Sequence, residues 1–571
     1  MTIISLFRLF TTSSRLTFPE GDLSHTEWRK EIMAYQDLRH FIDVLEQAGE
    51  LRRVSVEVDW RYEVSGWIRK ADDMRPRGPA LLFERLRGYS SEYRLVSGLI
   101  GSYKRFAMAL GLPIDTLPSE IINAFRERIK TPLSPVVVTD GPCQENVYLG
   151  DDIDLLKFPI PWWHPRDGGR FIGTWHGVIS KDLYSGIRNV GMHRIQVFDR
   201  NHTGIGMLAM AHISHHFSQR QRMGDPLEVA IVIGADETVP IAAGTGFPPD
   251  VDELGLAGAL RQEPLQLLKC KTVNLEVPAN AEIVIEGIVS PTERHLEGPF
   301  GEWAGYHAGG VRLRPLLTVT AITHRNQPIL RGCLLGKPVT EDQFLYSIGM
   351  IAESLRMFES HGPEGVLAVN CPPEGVALAS AIVQLQPRYV GHSWNAGRTL
   401  ISSRVGSHLK TVVLVDDDID PFDLGQVWWA INTRVQGSRD IEVLRFGTEP
   451  RSDPSVPRQN AEFGDKIIID ATKKLDYPYN PQYGSHWAPV CMPDPEVMDL
   501  VELRWKSIID HEAPKPEEEA ELRQFLDGEF EQYWKEWRTK AFVLSEEEMK
   551  AELGRSFPMQ RALTFKRKRE R

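Results

Sequence analysis

Two carboxylates flank a glycine–proline turn near the middle of the chain. The segment reads E-G-P-F-G-E-W-A-G-Y-H from Glu297 to His307, and it places Glu297 and Glu302 five residues apart. The intervening glycines and proline exclude a helix and favour a tight bend that can turn both acids toward one point. Two carboxyl groups in one site repel each other when ionised, so one of them can hold a proton near neutral pH and donate it to a reacting carbon. We therefore predict an acid/base pair, with a solvated acidic loop as the alternative.

A strand-like segment upstream, N-V-G-M-H-R-I-Q from Asn189 to Gln196, carries an amide and a guanidinium. These groups can position oxygen ligands for a metal ion and the carboxylate of a substrate. In an ideal strand Asn189 and Arg194 point to opposite faces, because they are five residues apart. A bulge or kink at Gly191 would bring both side chains to one site. The alternative is a solvated arginine on an ordinary strand.

Two histidines and a glutamate come next along the chain. His212 and His216 have the i, i+4 spacing of zinc ligands on a helix, but the glutamate of an H-E-x-x-H motif is missing. A zinc metallohydrolase is therefore a weak interpretation, and a structural histidine is the alternative. Glu253 lies in the first turn of a predicted helix, where an acid is favourable without any catalytic role.

The elements that must position these residues read as strands separated by turns, from about 135 to 328. Asp199-Arg200-Asn201 and Arg325-Asn326-Gln327 join strand-like runs at hairpin distances, which favours an antiparallel sheet or a barrel. The predicted strands are 175–179, 189–198, 227–233, 282–289 and 316–323, and the predicted helices are 214–223 and 252–262, with Asp252 as an N-cap.

The flanking regions have different patterns. Leu38, Phe41, Ile42 and Leu45 have helical spacing, and with the segments 51–58 and 121–129 they predict a small α/β unit. Beyond about residue 340, apolar strands that alternate with helices predict a parallel α/β domain. Its predicted elements are the strands 365–369, 411–415 and 441–444 and a helix over 373–386; Asp416, Asp417 and Asp418 follow one strand and raise a weak Mg²⁺ hypothesis.

Composition excludes several classes of protein. The 571 residues carry a net charge of −12, which gives no attraction for nucleic acid or an anionic membrane. The five cysteines lack a C-x-x-C pair, which argues against a disulfide framework and a structural zinc site, and no run of about eighteen apolar residues predicts a membrane span. We therefore expect a cytoplasmic protein without a nucleic-acid or membrane partner.

The motifs, taken in order, resemble the UbiD family of decarboxylases. The matching elements are N-V-G-M-H-R-I-Q, the following A-H, the glutamate four residues before A-G-A-L, E-G-P-F-G-E-x-x-G-Y, and the K-T-V-V-L-V-D-D-D-I-D segment that begins at Lys410. The resemblance covers about residues 36–505. It implies an α/β (α+β) fold with a small N-terminal α/β unit, a central split β-barrel that binds flavin, and a C-terminal α/β domain for oligomerisation.

We accordingly divide the chain into five segments. They are a disordered extension at 1–32, the N-terminal unit at 33–130, the split barrel that binds prenylated FMN at 131–330, the oligomerisation domain at 340–505, and a charged helical extension at 506–571 whose aromatic residues (Tyr533, Trp534 and Trp537) mark one face.

The resemblance also implies the ligands. Asn189, His212 and Glu253 would bind Mn²⁺ (or Mg²⁺), which bridges to the phosphate of a prenylated FMN, and K⁺ would be a further ion. Lys410 matches the family's cofactor-binding lysine. The remaining cofactor-lining positions implied by the resemblance are Val190, Gly191, Met192, His193, Arg194 and Ala211.

Arg194, Glu297 and Glu302 match the family's catalytic set, in which Arg194 holds the substrate carboxylate and Glu302 delivers the proton that replaces CO₂. The implied substrate is an aromatic, heteroaromatic or α,β-unsaturated carboxylic acid. Physiological carboxylation and a flavin-binding protein with a vestigial site are the alternatives. The family resemblance further implies a flavin prenyltransferase that supplies the cofactor and a homo-oligomer, either dimer or hexamer.

The resemblance does not assign roles to two further positions with the same clarity. Many family members have tyrosine where His193 stands. Trp303, directly after the proposed acid, is flat and bulky, so it can line a pocket for an aromatic ring or, equally, pack in the core.

Overall fold

The computed structural model describes residues 35–74, 76–208, 211–448, 452–456, 463–481, 485–493 and 495–509, together with 520, 524 and 528. The chain divides into two compact units, one that extends to Thr472 and one that begins at Lys473. The predicted domain at 340–505 crosses this division. The predicted disordered extension and the aromatic face around Trp534 lie outside the described residues.

The N-terminal part confirms the predicted α/β unit. Its first helix buries Leu38, Phe41, Ile42 and Leu45, as their spacing predicts, and the Asp37 carboxylate caps it by accepting from the His40 N–H. The elements are α1 (Leu38–Gln47), β1 (Leu51–Val54), α2 (Glu63–Asp72), β2 (Ala80–Phe83), β3 (Arg94–Ser97), α3 (Tyr103–Ala109) and α4 (Pro118–Ile129).

The central part is a curled antiparallel sheet. Its elements are β4 (Val136–Val137), β5 (Asn146–Leu149), β6 (Phe171–Gly173), β7 (His176–Lys181), β8 (Arg188–Gly191), β9 (Ile195–Val197), β10 (His202–Ile205), α5 (His212–Met223), β11 (Leu227–Ile233), α6 (Thr238–Gly244), α7 (Glu253–Arg261), β12 (Gln266–Lys269), β13 (Glu276–Pro278), β14 (Ile283–Glu297), β15 (Arg312–His324) and β16 (Ile329–Arg331).

The strand order explains the curl. The sheet runs β6-β9-β10-β15-β14-β11-β7-β8, with β5 also paired to β15. In a flat sheet β8 and β9 would lie about 29 Å apart, six strand spacings. Residues 192–194 alone connect them, and such a link spans at most about 14 Å. The sheet must therefore curl until its two ends approach each other, which confirms the expected split barrel.

Both faces of this sheet are buried along β11. Ile231 and Ile233 on β11 pack in one core cluster, whereas Val232, between them, packs in another. Alternate side chains of a strand point to opposite faces, so each face has its own core. This explains the nearly continuous apolar run of β11.

One predicted hairpin is confirmed and one is wrong. β9 and β10 pair antiparallel across Asp199–Asn201. The turn at Arg325–Gln327 instead sends the chain out of the barrel, because β16 pairs in parallel with β3. The carboxylate of Glu282 fixes this exit by accepting from the Ile329 N–H at 3.0 Å and from Arg39 Nε at 2.7 Å. The four-stranded sheet β1-β2-β3-β16 thus joins the N-terminal unit to the barrel.

The next region contains α8 (Glu341–His361), β17 (Val366–Asn370), β18 (Ser380–Leu385), α9 (His392–Ser402), β19 (Thr411–Val415), α10 (Leu424–Arg434), β20 (Ile441–Thr448) and β21 (Phe463–Ala471). The sheet order is β17-β18-β19-β21-β20. Its three central strands are parallel, but each edge strand is antiparallel to its neighbour, so the predicted parallel sheet is corrected to a mixed one.

Two further predictions for this region are wrong. The predicted helix at 373–386 contains β18, because Ala381 and Val383 pack on one face of the sheet and Ile382 on the other. The magnesium hypothesis for Asp416 and Asp418 also fails, since the buried Arg434 guanidinium bonds both carboxylates at 2.6–2.9 Å.

The unit from Lys473 contains a helix, α11 (Pro495–Ile509). Within the ranges given above, no helix is both long and apolar enough to span a bilayer.

Candidate active site

Arg194 joins the two glutamates that the sequence predicts as an acid/base pair. It lies directly before β9, Glu297 ends β14, and Glu302 follows in the turn beyond. Arg194 Nε and Nη2 donate to the two oxygens of Glu297 at 2.6 and 2.8 Å, and Nη1 donates to Glu302. The predicted convergence of both acids on one point is therefore present, with the guanidinium as that point.

Burial makes the two carboxylates different. The side chain of Glu297 is fully buried and doubly bonded by Arg194, whereas that of Glu302 retains 17% exposure and receives a single guanidinium nitrogen. Burial raises the pKa of Glu302 above its usual value, the contact with Arg194 opposes that rise, and the nearby charge of Glu297 adds to it. Burial therefore favours the protonated form of Glu302.

The turn between the two acids depends on its first glycine. Gly298 has φ of +87°, and a Cβ there would lie 2.7 Å from the carbonyl oxygen of Gly310. Its N–H donates to Gln196 Oε1 at 2.7 Å, which ties the turn to β9. Beyond it, the Glu302 N–H donates to the Tyr306 carbonyl at 3.0 Å, so the acid sits in a short closed loop.

Asn189, His212 and Glu253 form a second cluster, as the resemblance implies. Asn189 lies on β8, His212 begins α5 and Glu253 begins α7, with Asp252 as the predicted N-cap. Asn189 Nδ2 lies 2.8 Å from Glu253 Oε1 and 3.3 Å from His212 Nδ1, and the Val190 N–H donates to Glu253 Oε2 at 2.8 Å. Three elements distant in sequence thus converge here.

The charge state of this cluster fits a divalent cation. Burial raises the pKa of Glu253 to about 7, although the hydrogen bonds that its carboxylate accepts from N–H groups oppose the rise. Burial and the nearby charge of Arg404 lower the pKa of His212, which keeps the imidazole neutral, as a metal ligand must be. Along the described ranges, Glu253 has no ion pair with lysine or arginine. A carboxylate, an amide and a neutral imidazole suit Mn²⁺ or Mg²⁺.

At Gly191, where a bulge or kink was predicted, the structure has a break between two strands. β8 ends at Gly191, and the link 192–194 crosses to β9 at the other end of the curled sheet. The carbonyl of His193 in this link accepts from His176 Nε2 at 2.8 Å. Asn189 therefore lies on β8 and Arg194 in the link that leads into β9, so the two residues are separated by a break in the strand rather than by a bulge.

The remaining lining positions differ in their surroundings. The side chains of Val190 and His193 are buried, and burial lowers the pKa of His193 to about 3, so this histidine is neutral. Met192, Gly191 and Ala211 are half-buried, and Ala211 is the N-cap residue of α5.

Two other predicted residues make their hydrogen bonds with residues outside these clusters. Lys410 precedes β19 and donates to Asp453 Oδ2 at 2.6 Å and to Ser455 Oγ. Trp303 is half-buried, and its carbonyl accepts from Gln343 Nε2 at 3.0 Å.

One cluster was not predicted from the sequence. His164, Asp167 and His307 are the three side chains among the described residues whose possible metal-ligating atoms all lie within 4.8 Å of one another. The available signals were the H-x-x-D spacing at 164–167 and the histidine that ends the glutamate motif. Neither signal indicates that the two segments meet.

Comparison with known proteins places this geometry in a family. Family models match the chain over residues 42–125, 136–338 and 343–471, as the N-terminal, Rift-related and C-terminal domains of 3-octaprenyl-4-hydroxybenzoate carboxy-lyase. A phenolic acid decarboxylase of Bacillus subtilis is 33% identical over 80% of this chain and 95% of its own length.

Solved structures agree. The vanillic acid decarboxylase of Sedimentibacter hydroxybenzoicus in its open form with truncated ShVdcD matches with a TM-score of 0.74 and 32% identity, over 84% of this chain and all of that one. An evolved dimeric form of the UbiD-class enzyme HmfF from Pelotomaculum thermopropionicum, in complex with prFMN, matches with a TM-score of 0.68 and 34% identity, over 80% and 97% of the two chains. The chain belongs to the UbiD family. It is a carboxy-lyase, that is, a decarboxylase.

Proposed function

We propose that this enzyme is a non-oxidative, reversible decarboxylase that uses prenylated FMN and a divalent metal ion to remove CO₂ from an aromatic, heteroaromatic or α,β-unsaturated carboxylic acid. The observation that carries the proposal is the single guanidinium of Arg194 shared by Glu297 and Glu302, with the pKa of Glu302 raised by burial. This arrangement offers a fixed cation for a substrate carboxylate beside a protonated acid for the product.

Each residue of the trio has a separate task. Glu297 fixes the plane of the guanidinium through two hydrogen bonds, so Arg194 can present its remaining N–H groups to the substrate carboxylate. Glu302 holds its proton at the carboxyl group and delivers it to the carbon that CO₂ leaves. Phe300, whose ring lies 5.4 Å from Arg194 Cζ, adds an apolar wall, and Trp303 is the proposed aromatic wall beyond it.

Asn189, His212 and Glu253 are the proposed ligands of Mn²⁺ (or Mg²⁺). In the described part of the chain no side chain caps the N-terminus of α5, so the first N–H groups of that helix favour a phosphate beside the metal. Lys410 is a further proposed phosphate partner. When bound, the prenylated flavin would supply the electron-withdrawing centre that the chain's own side chains lack.

The substrate class rests on the relatives. The Bacillus and Sedimentibacter enzymes are named for phenolic and vanillic acids, which favours an aromatic acid among the three classes. We further propose cytoplasmic location, cofactor supply by a flavin prenyltransferase, and a homo-oligomer, for which the dimeric HmfF is a precedent.

Two alternatives remain distinct from this proposal. A physiological carboxylase would use the same trio in the opposite direction, with CO₂ as a substrate. A flavin-binding protein with a vestigial site is disfavoured by the intact Arg194, Glu297 and Glu302 and by their hydrogen bonds.

The test is the identity of the bound cofactor. Protein co-expressed with a flavin prenyltransferase and supplied with Mn²⁺ should release a cofactor with the mass of prenylated FMN and should form CO₂ from vanillic acid or another phenolic acid. Plain FMN or no flavin, despite full metal loading, would favour the vestigial binder.

A further inference from the structure

The carboxylate of Asp167 holds the turn that carries Glu302 from both sides. Its side chain is fully buried, and its Oδ1 accepts from the Gly301 N–H at 2.9 Å and from His307 Nε2 at 3.0 Å. Gly301 directly precedes Glu302. His307 directly follows Tyr306, whose carbonyl accepts the Glu302 N–H. One oxygen atom therefore fixes both ends of the loop in which the acid lies.

Asp167 is itself held in place within its own segment. Its Oδ2 accepts from the His164 N–H at 2.9 Å and faces His164 Nδ1 at 3.3 Å, so both oxygens have two partners. Its backbone N–H donates to the His164 carbonyl, and its carbonyl accepts from Trp162 Nε1 at 3.1 Å. The hydrogen bonds of Asp167 thus fix the catalytic turn relative to residues 162–168.

The two segments also meet through their backbones. The Gly168 N–H donates to the Pro299 carbonyl at 2.8 Å, and a Cβ on Gly168 would lie 2.0 Å from the carbonyl oxygen of Gly298. Only glycine permits so close an approach. The segment that precedes β6 therefore packs directly against the backbone of the turn.

We propose that Asp167 and His307 are positioning residues for the proton donor, and the proposal rests on the function proposed above. They hold the backbone of Glu302 so that its carboxyl group stays beside Arg194 Nη1. Small displacements of a reacting group cost large factors in rate, so this support affects the chemical step more than the binding of substrate. Arg194 and Glu297 stay joined to each other without it.

The side chains of His164, Asp167 and His307 could be considered a metal site, but their contacts favour a hydrogen-bonded support for the turn. We call the hydrogen bonds from His307 and Gly301 to Asp167 the clamp. The His164 and His307 rings face different oxygens of Asp167, and each oxygen also accepts a backbone N–H. Their ring centroids are 5.4 Å apart with an interplanar angle of 88°. Both oxygens of the Asp167 carboxyl group are thus already in contact with nitrogen atoms of the protein.

The test compares two substitutions at His307, which is half-buried and tolerates replacement better than Asp167 does. His307→Phe removes the ring N–H, and kcat of the flavin- and Mn²⁺-loaded enzyme with vanillic acid, or with the phenolic acid that it turns over fastest, should fall by about 10–100-fold while KM changes little. His307→Gln places an amide N–H near the position of Nε2 and should recover most of the loss. Flavin and metal content should match those of the unmodified enzyme.

A second histidine–aspartate pair provides the matched control. His202 Nδ1 lies 2.9 Å from Asp199 Oδ2 in the β9–β10 hairpin, outside the active site. His202→Phe should leave kcat unchanged, which separates the clamp from the general cost of losing such a pair.

Several results would overturn the proposal. They are an unchanged kcat in His307→Phe, equal losses in His307→Phe and His307→Gln, a loss that follows flavin content, or a second stoichiometric metal that disappears in His307→Phe. A Glu302→Gln variant measured in parallel separates failure of the clamp from failure of the proposed proton donor. If it is inactive while His307→Phe is normal, only the clamp fails; if it retains full turnover, the proposed proton donor fails and the clamp with it.

Discussion

The barrel contains two buried acidic clusters that balance their charge in different ways. Glu297 and Glu302 share the guanidinium of Arg194, whereas Glu253 accepts from the Asn189 amide and from the Val190 N–H. A buried carboxylate is costly unless a cation or a proton neutralises it. The first cluster contains its own cation, whereas among the described residues no lysine or arginine pairs with Glu253. This difference is the basis for proposing catalysis at the first cluster and metal binding at the second.

Arg194→Met should have the largest effect, because it removes the cation from the self-balanced cluster. It removes both guanidinium hydrogen bonds from the fully buried Glu297, and breaking a buried pair costs about 3–5 kcal/mol of the free energy of unfolding. Decarboxylation should be abolished as well. Denaturant unfolding and CO₂ release check the two effects. Arg314→Met is the control, since Arg314 Nε lies 3.8 Å from Glu297 Oε2 without a hydrogen bond to it; equal losses in both variants would remove the special role of Arg194.

His212→Ala should disrupt the other cluster without affecting the trio. Loss of an imidazole ligand should weaken Mn²⁺ binding by at least the roughly 10–100-fold that outer-shell changes cost, and flavin content should fall with the metal. Elemental analysis and flavin absorbance measure both. His215→Ala, an exposed histidine on the same helix, should change neither. Full Mn²⁺ content in His212→Ala would exclude His212 as a ligand.

The pH dependence of the metal-free protein should distinguish the clusters further. The pKa of Glu253 is raised to about 7, so folding favours its protonated form and stability is lost as pH rises from about 4.5 through 7. This shift corresponds to about 3 kcal/mol. Mn²⁺ binds the ionised form, so its affinity should fall about tenfold per unit as pH decreases below 7. Mn²⁺ titrations at several pH values between 5 and 8 measure this change in affinity. Glu253→Gln should abolish the pH dependence of Mn²⁺ affinity.

Lys410 should contribute the smallest effect. Its ammonium is one-third exposed and already paired with Asp453, so Lys410→Gln should weaken flavin binding only a few-fold, as expected for a partly solvated charge. Lys410→Arg should retain the affinity. Flavin dissociation constants measured by fluorescence give the comparison, and a complete loss of flavin in Lys410→Gln would assign the lysine a larger role.

The sequence predicted local features well, both in the strands and around the two clusters. Apolar runs such as 227–233 and 411–415 match their strands residue for residue, since burial on both faces leaves little room for another interpretation. Glycine and proline correctly predicted the bend between Glu297 and Glu302. The structure brings together Asn189, His212 and Glu253, which the resemblance names as one ligand set and which spacing alone could not group.

The failures concern long-range partners. Nothing in Arg325–Gln327 shows that the next strand pairs with β3, more than two hundred residues earlier. The apolar run at 380–385 has no period that distinguishes a buried strand from a buried helix. Asp167 was missed for the same reason, because its hydrogen bonds to the catalytic turn cross more than a hundred residues.

The most direct test of the division between the clusters is one sample of Glu302→Gln loaded with flavin and Mn²⁺. Its cofactor mass, metal content and CO₂ release should be measured together, with Glu293→Gln, an exposed glutamate on β14, as the control. We expect full flavin and metal content and a loss of turnover of about 10²–10⁴-fold, because an amide cannot donate the carboxylic proton. Normal turnover in the loaded variant would contradict the assignment of Glu302 as the proton donor.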